Sequence, residues 1–167
     1  SRESNYQTMK NLLSILEKTG SRSIVVYPCS DPGYQEIIKA IDEAKNNPAF
    51  LIFKNIENLD FLGLMAGARA IAGNSSSALK EAPYFKLAAL DIGRRQEGRE
   101  KEGNVHTVGN SIKDIEKGLN FILYDRKFKS GLKRCGHILG DGRASEKILK
   151  IIKTIDLNDK LLRKHIT

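Results

Sequence analysis

The chain of 167 residues has few of the residues that mark several large classes of protein. It contains two cysteines, Cys29 and Cys135, which lie far apart and outside any cluster with metal-ligand spacing. We therefore expect no zinc site, and we interpret both cysteines as reduced thiols of a cytoplasmic protein. There is no tryptophan, and aromatic residues are not interleaved with basic ones, so recognition of nucleic-acid bases by stacking is poorly supported.

Long apolar runs are also missing. No stretch approaches the roughly 18 apolar residues of a membrane-spanning helix, and no signal peptide is recognisable. The sequence begins with Ser1 rather than methionine, which suggests a fragment from which an N-terminal signal could have been removed. The length fits one domain with a real core, and no internal repeat, linker or low-complexity segment divides it.

The formal net charge of +8 allows an anionic ligand or a nucleic-acid partner. Much of the excess lies in the last third, in DRKFKSGLKR and LLRKH. Because these basic residues alternate with apolar ones at helical spacing, amphipathic helices with a lysine-rich solvated surface are the favoured interpretation.

Apolar periodicity predicts helices that alternate with short strands. The strands are predicted at 23–27, 49–53, within ARAIAG, at 87–92 and at 104–109. The helices are predicted at 5–18, 34–45, 59–67, 74–82 and 111–124, with a helical remainder broken at GDGR. This alternation predicts an α/β fold, a Rossmann-like doubly wound parallel sheet in one domain over residues 1–167.

Ligands of such sheets gather beyond the carboxyl ends of the strands. That rule selects four loops: PCSDPG, KNIEN, GNSSS and GRRQEGRE. In GNSSS, Asn74 is a suitable helix cap, and the amides and hydroxyls that follow it, including those of Ser75 and Ser76, could hold a phosphate. For GNSSS alone, however, an ordinary capped helix is the favoured interpretation.

The arginine-rich loop strengthens the phosphate hypothesis. Arg94, Arg95 and Arg99 follow a predicted strand, and guanidinium groups bind phosphate oxygens in a bidentate manner. Beside a serine-rich helix start they form a more plausible anion site than either loop alone. Glu81, six residues after Ser75, could accept hydrogen bonds from ribose hydroxyls or pair with a lysine, and spacing does not decide between these.

Catalytic machinery is not visible in the sequence. The histidines His106, His137 and His165 show no triad-like spacing with a serine or cysteine, and no pair of carboxylates stands out as an acid and a base. The residues by themselves predict binding of a phosphorylated ligand, with no cofactor and no metal.

Taken together, GNSSS with Glu81, DIGRRQEGRE, EGNVHTVG and GDGRASEKIL resemble the C-terminal half of the UDP-N-acetylglucosamine 2-epimerase family. The resemblance runs from about Thr8 to Leu157. Non-hydrolysing members carry an acidic-Ser-Gly-Gly serine loop and a Thr-Glu-Arg arginine loop. The versions here are similar to the hydrolysing branch, which forms N-acetylmannosamine and UDP in sialic-acid-type pathways.

The resemblance implies a role for individual residues. Ser75 and Ser76 would hold the diphosphate, Glu81 the ribose, and the Ile56 backbone the uracil. Arg95 would line the diphosphate and catalytic cleft. Cys29 stands where relatives commonly have asparagine, which puts its ligand contact in doubt, although Asp31 keeps the acidic position of that loop.

The resemblance also implies that the complete enzyme has two Rossmann-like domains, arranged as in GT-B glycosyltransferases, with the active site between them. The main acid–base carboxylates would lie on an N-terminal domain absent from this sequence, and a catalytic histidine would lie just before Ser1. Elimination of UDP to a glycal is followed by addition of water. Without its other half the chain is expected to bind UDP or UDP-N-acetylglucosamine but not to turn it over, and its exposed interface could favour a homo-oligomer.

Two alternatives remain at this stage. One is the nucleotide-sugar-binding half of a GT-B glycosyltransferase, against which the arginine loop argues. The other is a basic nucleic-acid-binding module, which predicts binding that falls steeply with salt and does not respond to UDP.

Overall fold

The computed structural model describes residues 2–136, 139–156 and 158. His137, His165 and the basic run at 161–165 lie outside these residues. Within them, the five strands are β1 (Ser23–Val26), β2 (Phe50–Phe53), β3 (Ala70–Gly73), β4 (Ala88–Ile92) and β5 (Val105–Val108). The α-helices are α1 (Arg2–Lys18), α2 (Tyr34–Glu43), α3 (Asn58–Gly67), α4 (Ser77–Lys80), α5 (Ile112–Tyr124), α6 (Arg126–Gly131) and α7 (Ala144–Thr154). The predicted α/β fold with parallel strands is confirmed.

The strands form two hydrogen-bonded ladders, and all the pairings are parallel. One ladder pairs β1 with β2, and the other has the order β3-β4-β5. Between the described residues of the two ladders no strand pairing is present. The predicted single sheet is therefore divided into two ladders.

Helices cover both faces of the β3-β4-β5 ladder, as expected for a doubly wound fold, and one face of the β1-β2 ladder. On one face, α1 and α5 pack against β4 through Leu12, Leu90 and Ile115, while α1 and α2 pack against β1 through a second cluster. Met9 and Leu16 of α1 contact both clusters, so this helix spans the two ladders. On the other face, α3, α4 and a 3₁₀ turn at Ala82–Phe85 pack against the β3-β4-β5 ladder.

The helix predicted at 74–82 is much shorter than expected. It begins at Ser77 with Ser76 as its N-cap residue, and the chain changes to a 3₁₀ turn at Ala82. Pro83 lies at the start of that turn and has no N–H to continue an α-helix. The prediction that Asn74 caps the helix is wrong, because Asn74 lies outside it.

Some apolar surface remains bare. In α7 the apolar side chains of Ile148, Leu149, Ile151 and Ile152 are all exposed. The outer face of the β1-β2 ladder is also open to solvent at Ile24, Leu51 and Phe53. No described helix is both long and apolar enough to cross a membrane.

Candidate functional site

The candidate site is formed by loops that follow β1, β3 and β4. Strands β3 and β4 pair in parallel, so the loops after them leave the same edge of the fold, and a contact with Asp31 joins the loop after β1 to them. Arg95 lies in the turn after β4 and reaches both of the others. Its Nη1 donates to the Asn74 carbonyl oxygen at 3.0 Å, and its Nη2 lies 2.5 Å from Asp31 Oδ2. Arg95, from the predicted loop GRRQEGRE, thus joins two of the other predicted loops, PCSDPG and GNSSS.

Gln96 binds the same carbonyl group of the serine loop as Arg95 does. Its side chain is buried, and its Nε2 donates to the Asn74 carbonyl oxygen at 2.7 Å. The Asn74 carbonyl therefore accepts two side-chain hydrogen bonds, which orients the start of the serine loop. Sequence reasoning missed Gln96. The signal available was its place beside Arg95 in the loop after a strand.

The ion pair between Arg95 and Asp31 is accessible. The side chains are 47% and 56% exposed, respectively. Exposed pairs of this kind contribute only about 0–1 kcal/mol, because water screens them. An incoming anion can therefore replace the Asp31 carboxylate at the guanidinium without a large energetic penalty.

The serine loop GNSSS offers hydrogen-bond donors, but the helix that follows it, α4, is very short. Ser77 N donates to Ser75 Oγ at 3.3 Å, and the Ser75 carbonyl oxygen accepts from Ala78 N. Among the described hydrogen bonds, none uses the backbone N–H of Ser75 or Ser76. Since α4 has a single turn, its dipole adds little, and these local N–H groups are the main donors.

Glu81 is the C-cap residue of α4, and no hydrogen bond to its side chain is present among the described residues. Its backbone N–H donates to the Ser77 carbonyl oxygen at 3.1 Å, and its Oε2 is buried without a hydrogen-bond partner. Among the described residues, Glu81 forms no salt bridge with a lysine, the other pairing that the sequence allowed. A buried carboxylate oxygen without a donor is costly, so a rotation of the Glu81 side chain toward solvent, where a ligand hydroxyl could donate to it, would relieve that cost.

The other two predicted site residues, Cys29 and Ile56, lie in the loops after β1 and β2. Cys29 is exposed in the loop after β1, where its carbonyl oxygen accepts from Asp31 N at 2.8 Å. Ile56 is half-buried in the loop between β2 and α3. Among the described hydrogen bonds, one links Cys29 to Asp31 at the arginine junction, and none links Ile56 to Asp31, Asn74 or Arg95.

A buried ion pair supports the arginine loop from the sheet. Asp91, in β4, is fully buried, and Lys101 Nζ donates to its Oδ2 at 2.8 Å. Thr107 in β5 completes the triangle, with its Oγ1 at 3.1 Å from the same Oδ2 and 2.8 Å from Lys101 Nζ. This pair ties the end of the loop to two strands. The polar residue in LAALDI was the available signal, and sequence reasoning did not use it.

Other chemistry is not organised at this edge. No group of three or more His, Cys, Asp or Glu side chains in the described part of the chain could hold a metal ion. His106 lies in β5 and packs its ring against Phe121 with centroids 4.5 Å apart. The site is therefore an open, donor-rich edge suited to binding an anion.

Comparison with known proteins identifies the family and agrees with the fold. The sequence model of the UDP-N-acetylglucosamine 2-epimerase family matches residues 1–153, and the chain belongs to that family. A UDP-N,N'-diacetylbacillosamine 2-epimerase (hydrolyzing) from Legionella pneumophila is 33% identical over 87% of this chain and 37% of its own length. A GDP/UDP-N,N'-diacetylbacillosamine 2-epimerase (hydrolyzing) from Campylobacter jejuni is 34% identical over 72% of this chain and 31% of its own.

The fold is shared with solved members of the family. The Methanocaldococcus jannaschii UDP-GlcNAc 2-epimerase, crystallised with UDP-GlcNAc and UDP, superposes with a TM-score of 0.70. It is 21% identical, and the match covers 92% of this chain and 41% of the other. The chain thus spans about two fifths or less of the length of the relatives it matches.

Proposed function

We propose that this chain is the UDP-binding half of a hydrolysing UDP-N-acetylglucosamine 2-epimerase. The observation that carries the proposal is the position of Arg95, which lies against the serine loop and reaches across to the loop after β1. The names of the two bacterial relatives and their identities of 33% and 34% support the hydrolysing branch. The complete enzyme would act in the cytoplasm on a UDP-linked N-acetylated sugar, as in sialic-acid-type pathways.

In this proposal the diphosphate binds between Arg95 and the serine loop. The guanidinium exchanges Asp31 for phosphate oxygens, and the free backbone N–H groups of Ser75 and Ser76 donate from the other side. Charge-assisted bonds of this kind also stabilise a departing diphosphate, since negative charge grows on its oxygens as the sugar bond breaks. Arg95 would therefore serve both binding and catalysis.

The nucleoside would extend along α4 toward Glu81. Ribose hydroxyls would donate to the unpartnered Oε2 of Glu81, and the Ile56 backbone would contact the uracil. Cys29 would border the same pocket from the loop after β1. The acid–base groups for the proton transfers would come from the N-terminal domain, so residues 1–167 would bind the nucleotide as a single domain without turning over substrate.

Isothermal titration of UDP into the chain, at low and moderate salt, tests the proposal. Arg95→Ala should weaken UDP binding by at least about tenfold, because a charge-assisted bond contributes roughly 1.5–3 kcal/mol. The matched control is Arg94→Ala in the same loop. Arg94 is exposed and pairs only with Glu97 among the described contacts, so its loss should change the affinity little.

Four further variants test the placement of the ligand. Asp31→Asn should strengthen UDP binding, because the carboxylate that competes for Arg95 is removed. Ser76→Asp should weaken it, whereas Ser76→Asn, of the same shape but neutral, should not. Glu81→Gln should weaken binding of UDP but leave pyrophosphate unaffected, since pyrophosphate has no ribose.

Two control ligands distinguish UDP binding from the alternative function, a basic nucleic-acid-binding module. UMP should bind more weakly than UDP, and a single-stranded oligonucleotide should not compete. Tight oligonucleotide binding that falls steeply with salt, with no saturable UDP binding, would contradict the proposal and favour a nucleic-acid-binding module.

A further inference from the structure

An open groove lies at the opposite end of the strands from the serine and arginine loops. Those loops follow the carboxyl ends of β3 and β4, whereas the groove is bordered by the loop at 102–103, which leads into the amino end of β5. The end of α5, the helix α6 and the 3₁₀ turn at Leu132–Arg134 form its other sides. Its volume of about 610 Å³ is in the range of small-molecule sites.

We call this space the α6 groove, and its wall on the α5 side is aromatic. The rings of Phe121 in α5 and Phe128 in α6 lie with their centroids 5.1 Å apart and are tilted by 51°. Phe121 is 38% exposed, although its ring also contacts His106. An accessible ring in a concave site provides a surface on which a planar group can pack.

The two cations that line the α6 groove have no acidic partner among the described residues. Lys127 in α6 and Arg134 in the 3₁₀ turn are both exposed. Neither side chain forms an ion pair or a hydrogen bond with any part of the chain that the structure describes. Guanidinium and ammonium groups in this position are suited to bind phosphate or carboxylate oxygens.

The other polar groups of the groove do not compete for these cations. Asp125 Oδ1 accepts from Phe128 N at 2.7 Å and so caps α6, and Glu102 Oε2 accepts from Gly136 N at 2.5 Å. Burial raises the pKa of the Cys135 thiol, so this group is uncharged at neutral pH. Neither carboxylate pairs with a lining cation, which leaves both cations available to a ligand.

We propose that the α6 groove is a second ligand site, which binds a small molecule that carries both a planar ring and a phosphate or carboxylate group. The ring packs on Phe121 and Phe128, and the anionic group binds Lys127 and Arg134. Because the rings and the cations line one concave space, a small molecule fits the site better than an anionic polymer does.

This inference does not rest on UDP binding at the arginine loop. The α6 groove shares no residue with the serine loop or the arginine loop, and the strands separate it from them. The two sites can therefore be tested separately, with a simple aryl phosphate as the probe for the groove.

Titration of phenyl phosphate into the chain, followed through the NMR signals of its amides, tests the proposal. We expect saturable binding with a dissociation constant of about 1 mM, with the largest shifts at 102–103 and in α6. Inorganic phosphate lacks the ring and benzyl alcohol lacks the charge, so each should bind at least about fivefold more weakly. No saturation up to about 20 mM, or equal affinity for phenyl phosphate and inorganic phosphate, would overturn the proposal.

A matched pair of double variants tests the cations. Lys127→Ala with Arg134→Ala should weaken phenyl phosphate binding by at least about tenfold, because both ligands of the anionic group are removed. Lys129→Ala with Lys133→Ala removes the same charge from exposed residues of the same segment that do not line the groove. The second pair should change the affinity by less than about twofold. Equal losses would show diffuse attraction to a basic surface and would overturn the proposal.

A second pair of variants tests the aromatic wall. Phe121→Leu should weaken binding of phenyl phosphate by at least about threefold and leave binding of inorganic phosphate unchanged. The control is Tyr124→Leu in the same helix, because Tyr124 is 60% exposed and lies outside the groove lining. Melting temperatures verify that both variants are folded. Equal affinities of the two variants for phenyl phosphate would contradict packing of the ring on Phe121.

The location of the ligand is tested by thiol protection and by a variant of the arginine loop. Cys135 lines the groove, whereas Cys29 lies in the loop after β1. Saturating phenyl phosphate should therefore slow the reaction of iodoacetamide with Cys135 by at least about threefold and leave Cys29 unaffected.

Arg95→Ala should bind phenyl phosphate as tightly as the original chain does. Loss of phenyl phosphate binding in this variant would place the ligand at the serine loop and overturn the second site, without contradicting the UDP proposal. Retained phenyl phosphate binding in a chain that does not bind UDP would instead support the second site and contradict the UDP proposal alone.

Discussion

The two ladders of this protein are made of similar short apolar strands, yet they are buried to very different degrees. The strand β4 is buried along its whole length, whereas Val25 is the one buried residue of β1 and Phe50 the one buried residue of β2. The difference comes from neighbours and not from composition. The strand β4 has a partner on each side and helices on both faces, while the β1-β2 ladder has helices on one face and a free edge.

The candidate site therefore joins a well-buried part of the fold to a more exposed part. Arg95 extends from the well-packed β3-β4-β5 ladder and reaches the loop of the β1-β2 ladder through Asp31. Variants that act on one ladder at a time can show whether the two sides unfold together or separately.

The largest expected effect comes from two leucines with different surroundings. Leu90 in β4 is fully buried, whereas Leu51 in β2 is 47% exposed. Leu90→Ala should lower the free energy of unfolding by about 3 kcal/mol through lost burial and a cavity, and Leu51→Ala by only about 0.5 kcal/mol. Urea titration measures both. Equal losses would show that the β1-β2 face is covered in solution.

The next effect is expected at the buried ion pair behind the arginine loop. Lys101→Ala leaves the Asp91 carboxylate buried without its cation, which should cost about 2 kcal/mol of unfolding free energy because Lys101 is itself partly exposed. Adding Asp91→Asn to this variant should recover part of the loss, since the unpaired charge is removed. A double variant no more stable than Lys101→Ala would indicate that the charge is not the cause.

A smaller, pH-dependent effect is expected on the β1-β2 side. Hydrogen bonds from Lys10 and Tyr6 hold the pKa of the Glu43 carboxyl below its ordinary value of 4.5, and they connect α1 with α2. A lowered pKa in the folded state stabilises the fold above the ordinary pKa, and this contribution is lost as pH falls through the lowered value. Melting temperatures measured below pH 4.5 should therefore fall more in the original protein than in Glu43→Gln.

The smallest perturbation uses the two cysteines as reporters. Cys29 follows β1 and is exposed, whereas Cys135 is buried, and burial raises the pKa of its thiol. Iodoacetamide at neutral pH should therefore modify Cys29 at least about tenfold faster, without unfolding the protein. The variant Cys29→Ser isolates the slow reaction. Similar rates at both thiols would indicate that the β5 side opens as readily as the β1 side.

Much of the fold could be predicted from the sequence, because local patterns determine it. All five strands lie where short β-branched or apolar runs predicted them, and Ser111 caps α5 at the predicted start through a bond from Asp114 N. The failure at Asn74 is also local in origin. A cap residue was visible, but the Arg95 and Gln96 side chains that hold the Asn74 carbonyl oxygen come from more than twenty residues away.

For the candidate site, the sequence predicted the loops but not their contacts. It selected GNSSS and GRRQEGRE because strand ends of a parallel sheet lie at one edge. It did not predict that Asp31 occupies the Arg95 guanidinium, or that Gln96 and the Asp91–Lys101 pair fix the two loops. These depend on side chains that meet only after the strands have been ordered.

The sequence by itself determined the strands, the helices, the parallel α/β class and the serine and arginine loops, because periodicity, turn residues and charge are properties of neighbouring residues. Only the tertiary structure decided which strand edges are paired, that α1 spans two ladders, and that the Glu81 Oε2 atom is buried without a donor among the described residues. Strand pairing and burial depend on contacts between residues that are distant in the chain, and the local sequence pattern does not determine those contacts.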